Sequence, residues 1–414
     1  NTNALVLNNA SSKLLLDNTT TVGKVSTSLA SSGIDINESS TITSLAVAHT
    51  TPVSIAAGKT LSGGITVTAG SLKLGEAGTL ASNISMSGGT LDADNNLTLS
   101  GALTQSGDIE IAVKAGKTLT YTGAAISLGA NQLLLTGGAA SWSTFSNTNA
   151  LLLDNADSIL RLTNHVTVGS AIVNVASNEN MGLKVFNSSA ISSLTVAADT
   201  YLKIKDGKKF SGATEIAEDT TLILRDTGTF LSTLNLKGTL QAIANLEVSG
   251  LISIGGDSAI SIPSADITLT YSGDAISLGA NTLTLSGEGR LSNSNDLVLN
   301  NASSKLLLSS SITVDSVSTS ADNLGLDVDD NSTLSSFTVA HTTPVSIASG
   351  KTLSGAITLT AGSIKLGETG TLASTLSMSG GTLDADNNLT ISGALSHSGN
   401  ITIDVYSNKT LTYS

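Results

Sequence analysis

AHTTPVSIAAGKTLSGGITVTAGSLKLGEAGTL occupies residues 48–80, and AHTTPVSIASGKTLSGAITLTAGSIKLGETGTL occupies residues 340–372. Within the first copy, Val53-Ser54-Ile55 is followed 19 residues later by Leu72-Lys73-Leu74, and Leu91-Asp92-Ala93 follows 19 residues after that. Each triplet puts a polar residue between two apolar ones, the period-2 signature of a strand with one buried face. Between the triplets lie AAGKT, GEAGT and MSGGT, which are turn chemistry. Ile109-Glu110-Ile111 and Ile126-Ser127-Leu128 continue the series at 18 and 17 residues. No segment holds a helical period with caps, and glycine recurs too often to allow one.

Short strands at a period of 18–19 residues predict an all-β chain, a parallel β-solenoid (β-helix), expected to be right-handed. A single coil cannot bury its own inner face, so the core forms only when coils stack. About eight coils are expected per 146 residues. A string of sandwich domains is the rival all-β reading. It needs several aromatics per core and gives a 19-residue sub-period no meaning.

The offset of 292 residues between the two copies holds across the chain. NALVLNNASSKLLL (3–16) returns as NDLVLNNASSKLLL (295–308), and GGTLDADNNLT (88–98) returns unchanged at 380–390. A fainter copy lies near half that distance: NTNALVLNNA (1–10) echoes as NTNALLLDNA (147–156). The organisation is therefore a repeat A (1–146), a divergent repeat B (147–292) and an incomplete A′ (293–414), expected to form one continuous rod. A and A′ differ inside by aliphatic exchanges such as Leu72 to Ile364 and Ile84 to Leu376, the kind of swap that a packed core tolerates best.

The 414 residues are 40 % hydrophobic but only 3 % aromatic and 12 % charged, with a mean hydropathy of +0.24. Such a chain has enough aliphatic material to fold, in a narrow core with few rings. A net charge of −13 disfavours nucleic acid and anionic membrane surfaces as partners. No apolar run approaches the length of a transmembrane helix. Cysteine is absent, so stability must come from packing. The chain begins at Asn1 without a signal peptide, which reads as a mature product or a piece of something longer.

Catalytic chemistry finds little footing. His49 and His341 are one repeat position beside TTP, and they read as turn residues. No phosphate loop, dinucleotide fingerprint or zinc spacing is present, and the expectation is a non-enzyme. Calcium is the one cofactor the sequence suggests. LDADNN places Asp92, Asp94 and Asn96 at alternate positions, repeated as Asp384, Asp386 and Asn388, as oxygen-ligand loops do. It lacks the following glycine and distal glutamate of an EF-hand, and repeat B reads LQAIANL there. The bland alternative is a solvated turn whose side chains bond their own backbone. SWSTF (141–145), in a short insertion, holds the single Trp142. It is the candidate binding residue, against the bland reading of an apolar cover over a turn.

With the repeats laid out, the phrases GSLKLG (70–75) and LTLSG (97–101 and 283–287) resemble those of large bacterial surface proteins. The likeness is to the β-helix passenger repeats of the autotransporter and filamentous-haemagglutinin-like class. It covers the chain in style and transfers no binding residue. It implies an extracellular or cell-surface structural protein of a filament or fibre. The alternative is a stalk or spacer of an adhesin whose binding tip lies elsewhere. Expected partners are further copies end to end or the continuation of a longer chain, with a surface glycan or a host or neighbouring cell as contact.

Overall fold

A computed structural model describes residues 2–414. Among them there is no helix; parallel strands stack in coils of roughly 20 residues, a β-solenoid. Two compact units divide at Ala213/Thr214, inside repeat B.

In the first unit, one wall is built from strands such as Ser71–Leu74 and Thr90–Ala93, paired in parallel. The alternation of the sequence sorts their side chains. Leu72, Leu91, Ile111, Leu135, Leu162, Val185 and Ile204 fall in register on successive strands, and each is at most 2 % exposed. Every such side chain taken fully out of water contributes about 1.5–3 kcal/mol. The opposite side of each coil bends at a corner. Thr60–Val67, for example, pairs with Thr79–Leu80 through its first two residues and with Asn83–Met86 through its last four. A coil thus has three short strand segments around one aliphatic interior.

The corner explains a glycine. Opposite Thr60–Val67, strand Ser40–Val47 carries an extra residue between Ile42 and Ser44, a bulge that turns the wall. Gly63 packs against it at φ +120, and a Cβ there would lie 1.8 Å from the Ile42 carbonyl oxygen. Gly212 and Gly355 occupy the same repeat position with the same contact, against Ile191 and Leu334. Gly58, in the AAGKT turn, has φ +74 but open space around it. The repeat equivalent of the similar turn glycine Gly116 is Asn408 at φ +62, asparagine being the next most tolerant residue in that conformation.

The second unit follows the same plan. Ile364 pairs with Leu383 and Leu383 with Ile403, and the corner irregularity recurs between Leu334 and Phe337. Four of the chain's five Phe are fully buried: Phe145 and Phe210 in the first unit, Phe230 and Phe337 in the second. Tyr121 is buried as well and ties the corner together. Its hydroxyl donates to the Ala124 carbonyl (2.7 Å) and accepts from the Leu103 amide (3.1 Å). In the second unit Tyr271 repeats both bonds with Asp274 and Ile252.

Two details of the expected period change. The wall strand following Ile109–Val113 is Gln132–Thr136, not the Ile126 triplet. Ile126–Ser127 lies on the other side and pairs with Leu151–Leu152. Likewise Val53 pairs with Leu74 rather than Leu72. The reason is Thr51, a fully buried polar residue that takes an inward position opposite Leu72. Its hydroxyl is satisfied by the His49 carbonyl at 2.9 Å. Residues 1–146 therefore hold seven strands of this wall, rather than eight coils. The step between paired residues ranges from 18 (Thr221 to Thr239) to 27 (Gln132 to Ile159).

Gly63→Ala is expected to destabilise the first unit by more than about 2 kcal/mol, since positive φ alone costs a non-glycine residue about 1–2 kcal/mol and the carbonyl must also move. Gly58→Ala meets only the first penalty. Tyr121→Phe leaves an amide and a carbonyl unpaired and should cost about 1–3 kcal/mol. Urea denaturation followed by circular dichroism orders the three. Equal losses for the two glycine variants would refute the corner assignment.

Candidate functional site

The acidic candidates sit on the outer face of the wall. Asp92 projects outward from Thr90–Ala93, beside Lys73 at 3.7 Å, and Asp94 faces Lys114 at 3.8 Å. Asn96 is engaged: its Oδ1 accepts the Thr118 amide at 2.9 Å. In A′, Asn388 does the same for Thr410 at 2.9 Å. Repeat B keeps this asparagine as Asn245, bonded to the Thr268 amide at 2.7 Å, although it lacks the acids. The asparagine is a coil-to-coil tie common to all three repeats. Among the described residues, no three His, Asp or Glu gather in a way that could hold a metal ion.

The carboxylates nevertheless feel one another. Burial and then Asp94 push the Asp92 carboxyl above its ordinary value, with Glu110 adding to this and Lys73 opposing it. Asp384 is raised by burial, then by Asp386 and Asp404. Asp330 is the opposite case: a hydrogen bond from Lys351 at 2.8 Å holds it below the ordinary range.

Trp142 is half-exposed and lies over a turn of the first unit, its ring 5.5 Å from that of His165. His165 and Asn164 both have positive φ. His49 and His341 contribute carbonyls to the turns, accepting from Thr51 and Thr343.

In the second unit an open groove of about 690 Å³ runs along the outer wall. Its floor is a column of small residues in register, Thr239, Ala259 and Thr284. The charged and polar groups at its rim are largely engaged. Lys237 bonds Glu215 at 2.9 Å, Asp257 accepts the Thr282 amide at 2.7 Å, and Asn281 donates to the Leu278 carbonyl at 3.1 Å. Such a surface offers hydrogen bonds to an extended ligand.

No family model, no curated protein and no solved structure matches this chain. Its chemistry has to be read from its own surface. The feature that sequence reading missed is on the wall of the first unit. Arg161 pairs in register with Lys184, and Lys184 with Lys203. They are 23 and 19 residues apart in the sequence, and the coil period lines them up.

A carboxyl raised in the folded chain favours the fold when protonated, and that contribution disappears as pH rises through its folded-state value; a lowered carboxyl behaves in the reverse sense. Asp92→Asn is therefore expected to raise the melting temperature at pH 7, with the gain vanishing as pH falls through the carboxylate range. Asp330→Asn should lower it at pH 7, again with convergence in acid. Both shifts should be on the order of a degree, as for exposed ion pairs. Scanning calorimetry between pH 3 and 7 checks both signs; a loss with Asp92→Asn at pH 7 would show the Lys73 pair to outweigh burial.

Proposed function

We propose that this chain is a non-catalytic structural element of an extracellular filament or cell-surface fibre. The observation that supports the reading best is the equivalence of A and A′. At a fixed offset of 292 residues, the same side chains point inward and the same turns recur. The Lys13–Asp35 pair on the wall returns as Lys305–Asp327, each at 2.5 Å. A binding site or an active centre needs one place that differs from the rest, whereas a length-setting element needs every place to be alike. Stiffness comes from parallel backbone ladders whose strands bond along the stacking direction around an aliphatic core.

In this reading the partner is another coil of the same kind. It would join by the same parallel pairing used within each unit.

Negative-stain electron microscopy across a concentration series tests the proposal. Unbranched filaments that lengthen with concentration are the expected outcome for a fibre subunit. Discrete particles of one length at every concentration would reject self-assembly and favour a spacer within a longer surface protein.

A further inference from the structure

The two units carry very different charge. Residues 1–213 hold 12 Lys or Arg against 13 Asp or Glu, a net −1, whereas residues 214–414 hold 7 against 19, a net −12. Repeat B, where the chain departs most from its own copies, puts one unusual feature in each unit. In the first unit it is a turn. Lys205-Asp206-Gly207-Lys208-Lys209 stands where A has Ala56-Ala57-Gly58-Lys59-Thr60 and A′ has Ala348-Ser349-Gly350-Lys351-Thr352. All three turns close alike, the fourth amide donating to the first carbonyl at 2.9 Å. In A and A′ the single lysine meets an acid, Lys59 with Glu38 at 2.7 Å and Lys351 with Asp330 at 2.8 Å. In B that acid is Asn187, and two further lysines flank the turn. Lys205 and Lys209 are exposed and Lys208 is half-buried. Among the described residues, no ion pair or side-chain hydrogen bond engages these three ammonium groups.

In the second unit the feature is the open groove of about 690 Å³. Its rim acids Glu218 and Asp219 lie in a turn, residues 217–220, whose counterparts in A (68–70) and A′ (360–362) are the uncharged Thr-Ala-Gly. The turn is held open by a positive φ of +56 at Asp219 and by the Thr220 hydroxyl, which donates to the Ala217 carbonyl at 2.8 Å. Ala259 and Thr284 form the floor where A has the larger Glu110 and Leu134. The wall is therefore hollowed beside the place where its rim becomes acidic. Asp257 adds a third carboxylate, and the one lysine lining the groove, Lys237, is engaged by Glu215. Ser258 also lines it, 8 % exposed, with a hydroxyl that has no hydrogen-bond partner. The groove thus presents negative charge and acceptors, and its complement presents cations and donors.

We propose that this groove receives the lysine turn of a second copy of this chain, with Lys205, Lys208 and Lys209 set against Glu218, Asp219 and Asp257. The dimensions agree. From Thr239 to Thr284 the floor crosses two strand spacings, about 10 Å, and a hydrogen-bonded turn brings its first and fourth Cα atoms within about 7 Å. The charges select the pairing. Two second units repel each other, whereas a cationic turn on a nearly neutral first unit is drawn to a unit of −12. Such a contact joins two different surfaces and can continue from copy to copy. It adds a contact between outer surfaces to the coil-on-coil stacking of the structural reading and does not rest on it.

Sedimentation velocity of the full chain at low and physiological salt tests the contact. Self-association is expected, weakening as salt rises. Lys209→Glu and Glu218→Lys each set like charges against each other and should weaken it by more than about tenfold. Both residues are exposed, so melting temperatures should not change. A mixture of the two variants should associate again, because the groove of the first and the turn of the second are intact. Lys59→Gln, at the repeat position of Lys208, should leave association unchanged. The proposal fails if the chain does not associate at low salt, if the mixture stays as weak as its parts, or if Lys59→Gln weakens association as much as Lys209→Glu. Binding of oligolysine that Glu218→Lys abolishes, in a chain that does not self-associate, would assign the groove to another basic partner and overturn the proposal. Filaments that lengthen equally with Lys209→Glu would reject this contact and keep the structural reading. Salt-sensitive pairing of otherwise discrete particles would do the reverse.

Discussion

Everything in each unit depends on the fact that one coil cannot bury its own inner face. Leu72 is dry because Leu91 lies in register beside it, and Leu91 because Ile111 does. The hydrogen bonds run in the same direction as this packing, from one coil to the next. Inner positions are therefore largely aliphatic, and a polar residue such as Thr51 enters where a carbonyl satisfies it. The buried tyrosines Tyr121 and Tyr271 are taken in with their hydroxyls tied to backbone groups.

This constraint decides what could be read from the letters. Outward-inward alternation at Leu72-Lys73-Leu74 made the strand, its buried face and its stacking partner legible. Thr51 was not, because a buried threonine looks like a turn residue until the His49 carbonyl is seen to satisfy it. Ile126 misled for the opposite reason: an aliphatic triplet at nearly the right distance belongs to another side of the coil. The glycine at 63 was visible as a repeat, yet its cause, a carbonyl packed where a Cβ would go, exists only once two coils are stacked.

Surface chemistry is harder to read for the same geometric reason. The Asp92 and Asn96 alternation looked like a ligand set, but the asparagine serves the Thr118 amide, and repeat B retains it without the acids. Conversely, Arg161, Lys184 and Lys203 look scattered because they are about one coil apart in sequence, which makes them neighbours in space. In a solenoid, clusters that matter are spaced at the coil period, and adjacent letters point to opposite sides of the wall.

The uneven coil length separates what the molecule must keep from what it can vary. From Leu135 to Leu162 the chain takes 27 residues, and from Leu72 to Leu91 only 19, yet both steps deliver an aliphatic to the same inner column. The surplus around Gly137–Ser143 is pushed out at a corner, where the Ser143 hydroxyl fastens it to the Lys114 carbonyl. Such a corner is a natural grafting position: a foreign peptide inserted there would be displayed on a rigid backbone without altering the interior. A tandem series of repeats would then present copies of it at intervals fixed by counting coils, as marks on a ruler.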